Sequence, residues 1–273
     1  MEIGPIGIWM PRRFGAQAAG EIEALGFGAL WLGSSPSVDD ARAFLEASST
    51  MVVATGILNV WQHDPAAVAA AEAEVHEAFP ERFLLGVGIG HPEATSDYTR
   101  PLSTMRAFFD GLEAHDGSTA GRRNRVVAAL GPKMLDLAGE RSLGTHPYFT
   151  TPDHTRFARR RLGEDALVAP ELAVVVEEDD AAARRIARDY ASLYLGLTNY
   201  TNNLLRFGFT EDDLADGGSD RLIDAVVPHG SPTAIGEAVQ EHLDAGADHV
   251  CLQPLGHGAP PLEDYRVLAE ALL

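Results

Sequence analysis

The chain has 273 residues, 45% hydrophobic and 22% charged, a composition that suits a folded protein with a large core and argues against disorder. Its net charge of -19 argues against nucleic acid and anionic membrane surfaces as partners, because so acidic a surface repels polyphosphates at a distance. Apolar runs such as those at 167–170 and 172–176 fall far short of the roughly 20 residues needed to cross a bilayer.

Taken in chain order, strands are predicted at 3–9, 29–32, 51–60, 83–88, 126–130, 145–149, 172–176 and 249–252. Most are short apolar or β-branched runs without polar alternation, as expected of parallel strands buried on both faces. Helices are predicted near 16–25, 38–48, 65–78, 101–114, 132–140, 179–195, 231–245 and 261–272. Two of them open with a cap residue before proline, Asp64-Pro65 and Ser231-Pro232. The segments 21–32 and 241–252 share one pattern: a helix, a glycine (Gly26, Gly246) free to adopt a left-handed conformation past the last turn, then a strand. Eight strands alternating with helices predict an α/β fold, a (β/α)8 TIM barrel formed as a single domain over 1–273. The stretches 150–170 and 196–230 exceed ordinary connections and read as long loops, the second as a lid on the substrate side.

Several chemistries find no support. Gly86-Val87-Gly88-Ile89-Gly90 is followed by His91 and Pro92, so the dinucleotide fingerprint lacks its third glycine and a clean helix start. It reads either as a strand end where a flat ring can approach the backbone or as a merely structural glycine strand. No carboxylate accompanies His63, His91, His146 or His154 in a metal-binding pattern, and no Gly-x-Ser-x-Gly elbow occurs, so no metal is expected. Cys251 is the single cysteine and reads as a buried structural thiol in a reducing compartment; with no leader pattern at Met1-Glu2-Ile3-Gly4, a cytoplasmic protein is expected.

Some residues keep two readings. Gly131-Pro132-Lys133 follows a strand and opens a helix, where free amides attract phosphate, and Lys133 is the sole lysine of the chain; it is either an anion ligand or a solvated surface residue. Trp9 and Trp61 could wall an apolar substrate pocket or pack in the core, whereas Trp31 is expected in the core. His91 and His146 are the candidates for proton transfer, since both follow strands and imidazole titrates near neutral pH.

In order and spacing, Gly7-Ile8-Trp9, Leu25 to Gly33, Ala54-Thr55-Gly56-Ile57-Leu58-Asn59 and Arg82 to Gly90 resemble the luciferase-like monooxygenase superfamily. Ala128 to Met134, Pro147 to Pro152 and Ala245 to Val250 resemble its deazaflavin-dependent branch. The resemblance implies coenzyme F420, or alternatively FMN, at the C-terminal strand ends, with a non-prolyl cis peptide at Gly56-Ile57. It further implies cofactor contacts from Thr55, Gly56, Ile57, Asn59, Gly88, Ile89 and Gly90, a phosphate near Gly131 and Lys133, a small organic substrate and a homodimer. The implied activity is hydride transfer between deazaflavin and substrate; an FMN monooxygenase using O2 and a cofactor-free binding paralogue are the alternatives. The chain departs from the family in having Gly33-Ser34-Ser35 where many members carry an acidic or histidine pair. It also has Glu93 only near the position of a glutamate that some members use after strand four.

Overall fold

Every predicted strand region holds a strand in the computed structural model, which describes residues 1–94, 98–116 and 119–273. The strands are β1 (Ile6–Pro11), β2 (Ala29–Gly33), β3 (Val52–Thr55), β4 (Leu58–Asn59), β5 (Phe83–Gly88), β6 (Arg125–Val127), β7 (Gly144–Thr145), β8 (Leu167–Val168), β9 (Glu171–Val174) and β10 (Val250–Pro254). The Gly56-Ile57 bond between β3 and β4 is cis. All ladders are parallel, in the order β8-β7-β6-β5-β3-β2-β1-β10-β9, with β4 also on β5.

The two ends of that order, β8 and β9, are separated only by Ala169 and Pro170. Proline has no N–H to continue a ladder, and the run switches neighbours there. Upstream, Ala169 N–H donates to Thr145 O at 2.9 Å; downstream, Cys251 N–H donates to Pro170 O at 3.0 Å. One chain run thus joins both edges, and the curled sheet becomes a (β/α)8 barrel.

The helices are α1 (Gln17–Ala24), α2 (Val38–Glu46), α3 (Pro65–Ala78), α4 (Pro101–Asp116), α5 (Pro132–Arg141), α6 (Pro152–Leu162), α7 (Asp180–Leu195), α8 (Thr198–Arg206), α9 (Glu211–Leu214), α10 (Asp220–Val226), α11 (Pro232–Asp244) and α12 (Leu262–Leu272). Asp64 and Ser231 accept hydrogen bonds from Ala67 N–H and Ala234 N–H, as their sequence context predicts. Gly26 and Gly246 share φ 100°, the conformation that their common pattern requires just past α1 and α11.

Alternate residues of the strands go to two cores, which is why the strands read as uniformly apolar. Ala29, Trp31, Val52, Ala54, Leu84, Val126 and Cys251 fill the barrel, while Leu30, Leu32, Val53, Phe83, Leu85 and Leu252 pack outward against the helices. Trp31 is fully buried, as expected.

The structure corrects the two predicted loops. Residues 150–170 contain α6 and β8, and 196–230 contain α8, α9 and α10. The buried face of α6 is His154, Thr155 and Ala158, so no apolar stripe marks it. The second segment has its own apolar cluster, in which Tyr200, Leu204, Phe209, Leu222 and Ile223 pack with Phe149 and the buried alanines of α7. It is a helical cap on the barrel. Among the described residues, no helix is long and apolar enough to cross a membrane.

Candidate active site

The segments that follow the strands converge on one cavity of about 520 Å³. On the barrel side it is lined by Trp9 in β1 and by the chain after β2, β3, β5, β6 and β7; on the cap side it is lined by Tyr194 of α7 and one face of α8. Of the residues singled out in the sequence, Trp9, Gly56, Ile57, Gly88, Ile89, Gly90, His91, Gly131 and His146 line it. Gly56, Gly88 and Gly131, from three different strand ends, therefore meet at one mouth.

Thr55, Asn59, Trp61 and Lys133 are not in the lining. The Thr55 hydroxyl is buried and tied to Gly86, donating to its carbonyl and accepting from its N–H, both at 2.8 Å. Asn59 Oδ1 accepts from Trp61 N–H at 3.1 Å, and the Trp61 indole donates to Ile89 O at 2.6 Å, so this pair braces the rim from behind. Lys133 is exposed on the first turn of α5. Among the described residues, the lysine or arginine lining the cavity is Arg206, on α8.

His146 is rigidly held. Its Nδ1–H donates to Ala169 O at 2.8 Å, and its ring stacks on Trp31 with centroids 4.1 Å apart. The Trp31 indole in turn donates to His249 Nε2 at 3.0 Å, and His249 Nδ1–H donates to Gly4 O at 2.7 Å. Burial pushes the His146 pKa down to about 4, so the ring is neutral near pH 7. Its buried Nε2 has no hydrogen-bond partner among the described residues. A Cβ placed on Gly56 would lie 3.1 Å from that nitrogen and 3.0 Å from Trp9 Nε1, whose N–H donates to Gly56 O at 3.3 Å. His146 and Trp9 thus back the rim at Gly56.

His91 is half-buried at the cap side. The Asn199 amide lies 3.4 Å from its Nδ1 and, as a donor, leaves the ring proton on Nε2; the ring also contacts Tyr200 with centroids 5.0 Å apart. Burial lowers its pKa below 6.5, against a smaller upward pull from the Glu93 carboxylate. Glu93 itself is not in the lining. Its Oε1 accepts from the Thr198 hydroxyl at 2.6 Å and from Thr198 N–H at 3.0 Å. Beside the mouth, Tyr194 O–H donates to the Tyr148 oxygen at 3.2 Å, and Tyr148 O–H donates to Gln253 Oε1 at 2.5 Å.

The segment 196–230, with Asn199 to Asn203, is placed on the substrate side from the sequence, but none of its residues is given a role in the site there. Asn199, Asn203 and Arg206 recur at helical spacing, so recognising 198–206 as a helix would have placed them on one face. Ser34 and Ser35, where an acidic or histidine pair was missed, do reach the cavity and bring no titratable group to it. Among the described residues, no cluster of His, Cys, Asp and Glu could hold a metal ion.

Comparison with known proteins agrees with this architecture. Residues 10–110 match the model of the luciferase-like monooxygenase family. An F420-dependent secondary alcohol dehydrogenase in complex with an F420-acetone adduct superposes with a TM-score of 0.77 at 15% identity, over 99% of this chain and 98% of that one. The coenzyme F420-dependent tetrahydromethanopterin reductase from Methanopyrus kandleri gives 0.71 at 15% identity, over 100% and 99%. The FMN complex of the oxygenating constituent of 3,6-diketocamphane monooxygenase from Pseudomonas putida gives 0.71 at 15% identity, over 98% and 96%. Residues 10–110 are therefore similar to the luciferase-like monooxygenase family, and the chain shares its barrel fold end to end with these three proteins.

Proposed function

We propose that this chain is an oxidoreductase that binds coenzyme F420 in the cavity and acts on a small organic substrate held between the ring and α8. The observation that carries this reading is the convergence of the strand ends at Gly56, Gly88 and Gly131 on one cavity that Arg206 also lines. The rim at Gly56, Ile57, Gly88 and Ile89 suits the flat face of a tricyclic ring. At Gly131 an added Cβ would meet nothing within 4 Å, so the start of α5 faces open space, and no side chain caps that helix. An uncapped helix start and a guanidinium in the same cavity suit the phosphate that F420 carries. Bound there, the deazaflavin would supply hydride transfer to or from a substrate carbon.

The protein's part is to orient the substrate and hold protons. His91 carries its proton on Nε2 while neutral, and from the cavity lining it donates that hydrogen bond to a substrate oxygen. His146 acts from behind Gly56 and holds the rim in place. Trp9 walls the substrate side. The same reading takes 1–273 as one domain, working in the cytoplasm as a homodimer.

Burial favours the neutral imidazole of His91, and a proton taken up at Nδ1 would face the Asn199 amide donor and break the contact that orients the ring, so kcat/KM should be flat through neutrality and fall only on the acid side, with a midpoint below 6.5. A midpoint at or above that value would remove His91 from this role. His91→Gln should lower kcat about 100-fold, within the range for a positioned acid–base group, while leaving the cofactor Kd unchanged.

The alternative of an FMN-dependent monooxygenase draws on the FMN-containing neighbour described above. Fluorescence titration of the purified protein with F420 and FMN separates the readings. Tighter binding of F420 is expected; tighter binding of FMN supports the monooxygenase, and binding of neither supports a cofactor-free paralogue.

A further inference from the structure

The first turn of α8 is held by the loop that follows β5. The N-cap position of α8 is Leu197, whose side chain cannot accept a hydrogen bond from the helix start. Glu93, 105 residues before Thr198, does so instead: its carboxylate accepts from the backbone N–H and the hydroxyl of Thr198. A negative charge at that place also meets the positive end of the helix dipole. Beside it, the Asn199 amide donates to Gly90 O at 3.3 Å and approaches His91. These contacts join the cofactor-side rim of the cavity to the helix that brings Asn203 and Arg206 into it.

We infer that Glu93 is a positioning residue: by capping α8 from the β5 loop, it fixes where Arg206 and Asn203 stand over the cavity. The family resemblance points to a glutamate near this position acting on the reaction. Here the carboxylate is engaged outside the cavity lining, and its effect on function passes through α8.

The clasp is a property of the chain whatever ring occupies the cavity, so its test is independent of the cofactor's identity. Hydrogen exchange of amides 201–206 is measured in the cofactor-free protein, alongside the Kd for F420 and for FMN and the melting temperature. Glu93→Ala should speed exchange in that segment at least about threefold, as expected for loss of a helix cap, with little change across the barrel. It should weaken binding of whichever cofactor the unaltered protein takes by a similar factor. Glu93→Gln, which keeps a carbonyl oxygen for Thr198, should restore most of both effects.

Among the described residues, the charged or titratable group acting on Glu93 is His91, and the Thr198 hydrogen bonds hold the Glu93 pKa below 4.5. In the unaltered protein the clasp should therefore persist from neutrality down past that value; as pH falls through the lowered one the neutral carboxyl keeps a carbonyl oxygen for Thr198, so only the smaller charge-dependent share is lost, as in Glu93→Gln. Unchanged exchange at 201–206 in Glu93→Ala would overturn the inference, as would exchange that rises evenly over the barrel or rises in α8 without weakening a cofactor that the unaltered protein binds. If the unaltered protein binds neither cofactor, the oxidoreductase reading fails, and the exchange measurement alone decides the clasp.

Discussion

Arg206→Glu should weaken binding of F420 or FMN by about 100-fold or more and leave the melting temperature nearly unchanged. The side chain is exposed on the cap and lines the cavity, so the substitution costs the fold little. A charge-assisted hydrogen bond is worth about 1.5–3 kcal/mol, roughly tenfold to 150-fold in Kd, and reversing the charge adds repulsion of the phosphate. Lys133→Ala is the natural control: its side chain lies outside the cavity lining, and its removal should change the Kd by less than about threefold. Equal losses from the two variants would mean that the phosphate sits closer to α5 than to α8.

The largest effect on stability is expected from Glu72→Ala. Glu72 of α3 and Arg125 at the start of β6 are both almost wholly buried, and the carboxylate accepts three hydrogen bonds from the guanidinium at 2.6 to 3.1 Å. Removing one member of such a pair costs about 3–5 kcal/mol, because the buried guanidinium loses these three charge-assisted hydrogen bonds. For a chain of this size that is a drop in melting temperature of about 6–20 °C, measurable by calorimetry or circular dichroism. The pair lies at the entry end of β6, whereas the cavity lies past the exit end, so the cofactor Kd below the transition should be unaffected. A change of less than about 1 kcal/mol would mean that the pair is solvated in solution.

The barrel was legible because its strands are buried on both faces, and no surface polarity interrupts them. The strand ends were less so. The predicted strands at 126–130 and 145–149 run beyond β6 and β7, because Ala128 to Leu130 and His146 to Tyr148 are apolar or aromatic for the sake of the cavity and not of a ladder. At α6 the opposite occurred: its buried positions include His154 and Thr155, whose hydroxyl lies 2.8 Å from His242 Nδ1, and buried polar residues leave no hydrophobic period to read.

Within the site, the glycine positions were the clearest signal, since lack of a side chain at a strand end has few uses. The two histidines read alike in sequence, each following a strand. Tertiary context separates them: His146 is locked between Trp31 and Ala169 behind the rim, whereas His91 stands at the junction of the β5 loop with α8. The sole lysine drew attention to the start of α5, while Arg206 came to line the cavity only once α8 folded over the mouth. Charge on a distant helix has no signature in the local pattern of the strands.

The most direct measurement is a crystal structure of the protein soaked with F420. The account predicts density for the tricyclic ring against Gly56, Ile57 and Gly88, with the phosphate between the first turn of α5 and Arg206. A ring bound elsewhere on the chain, or a cavity that stays free of it at saturating F420, would contradict it.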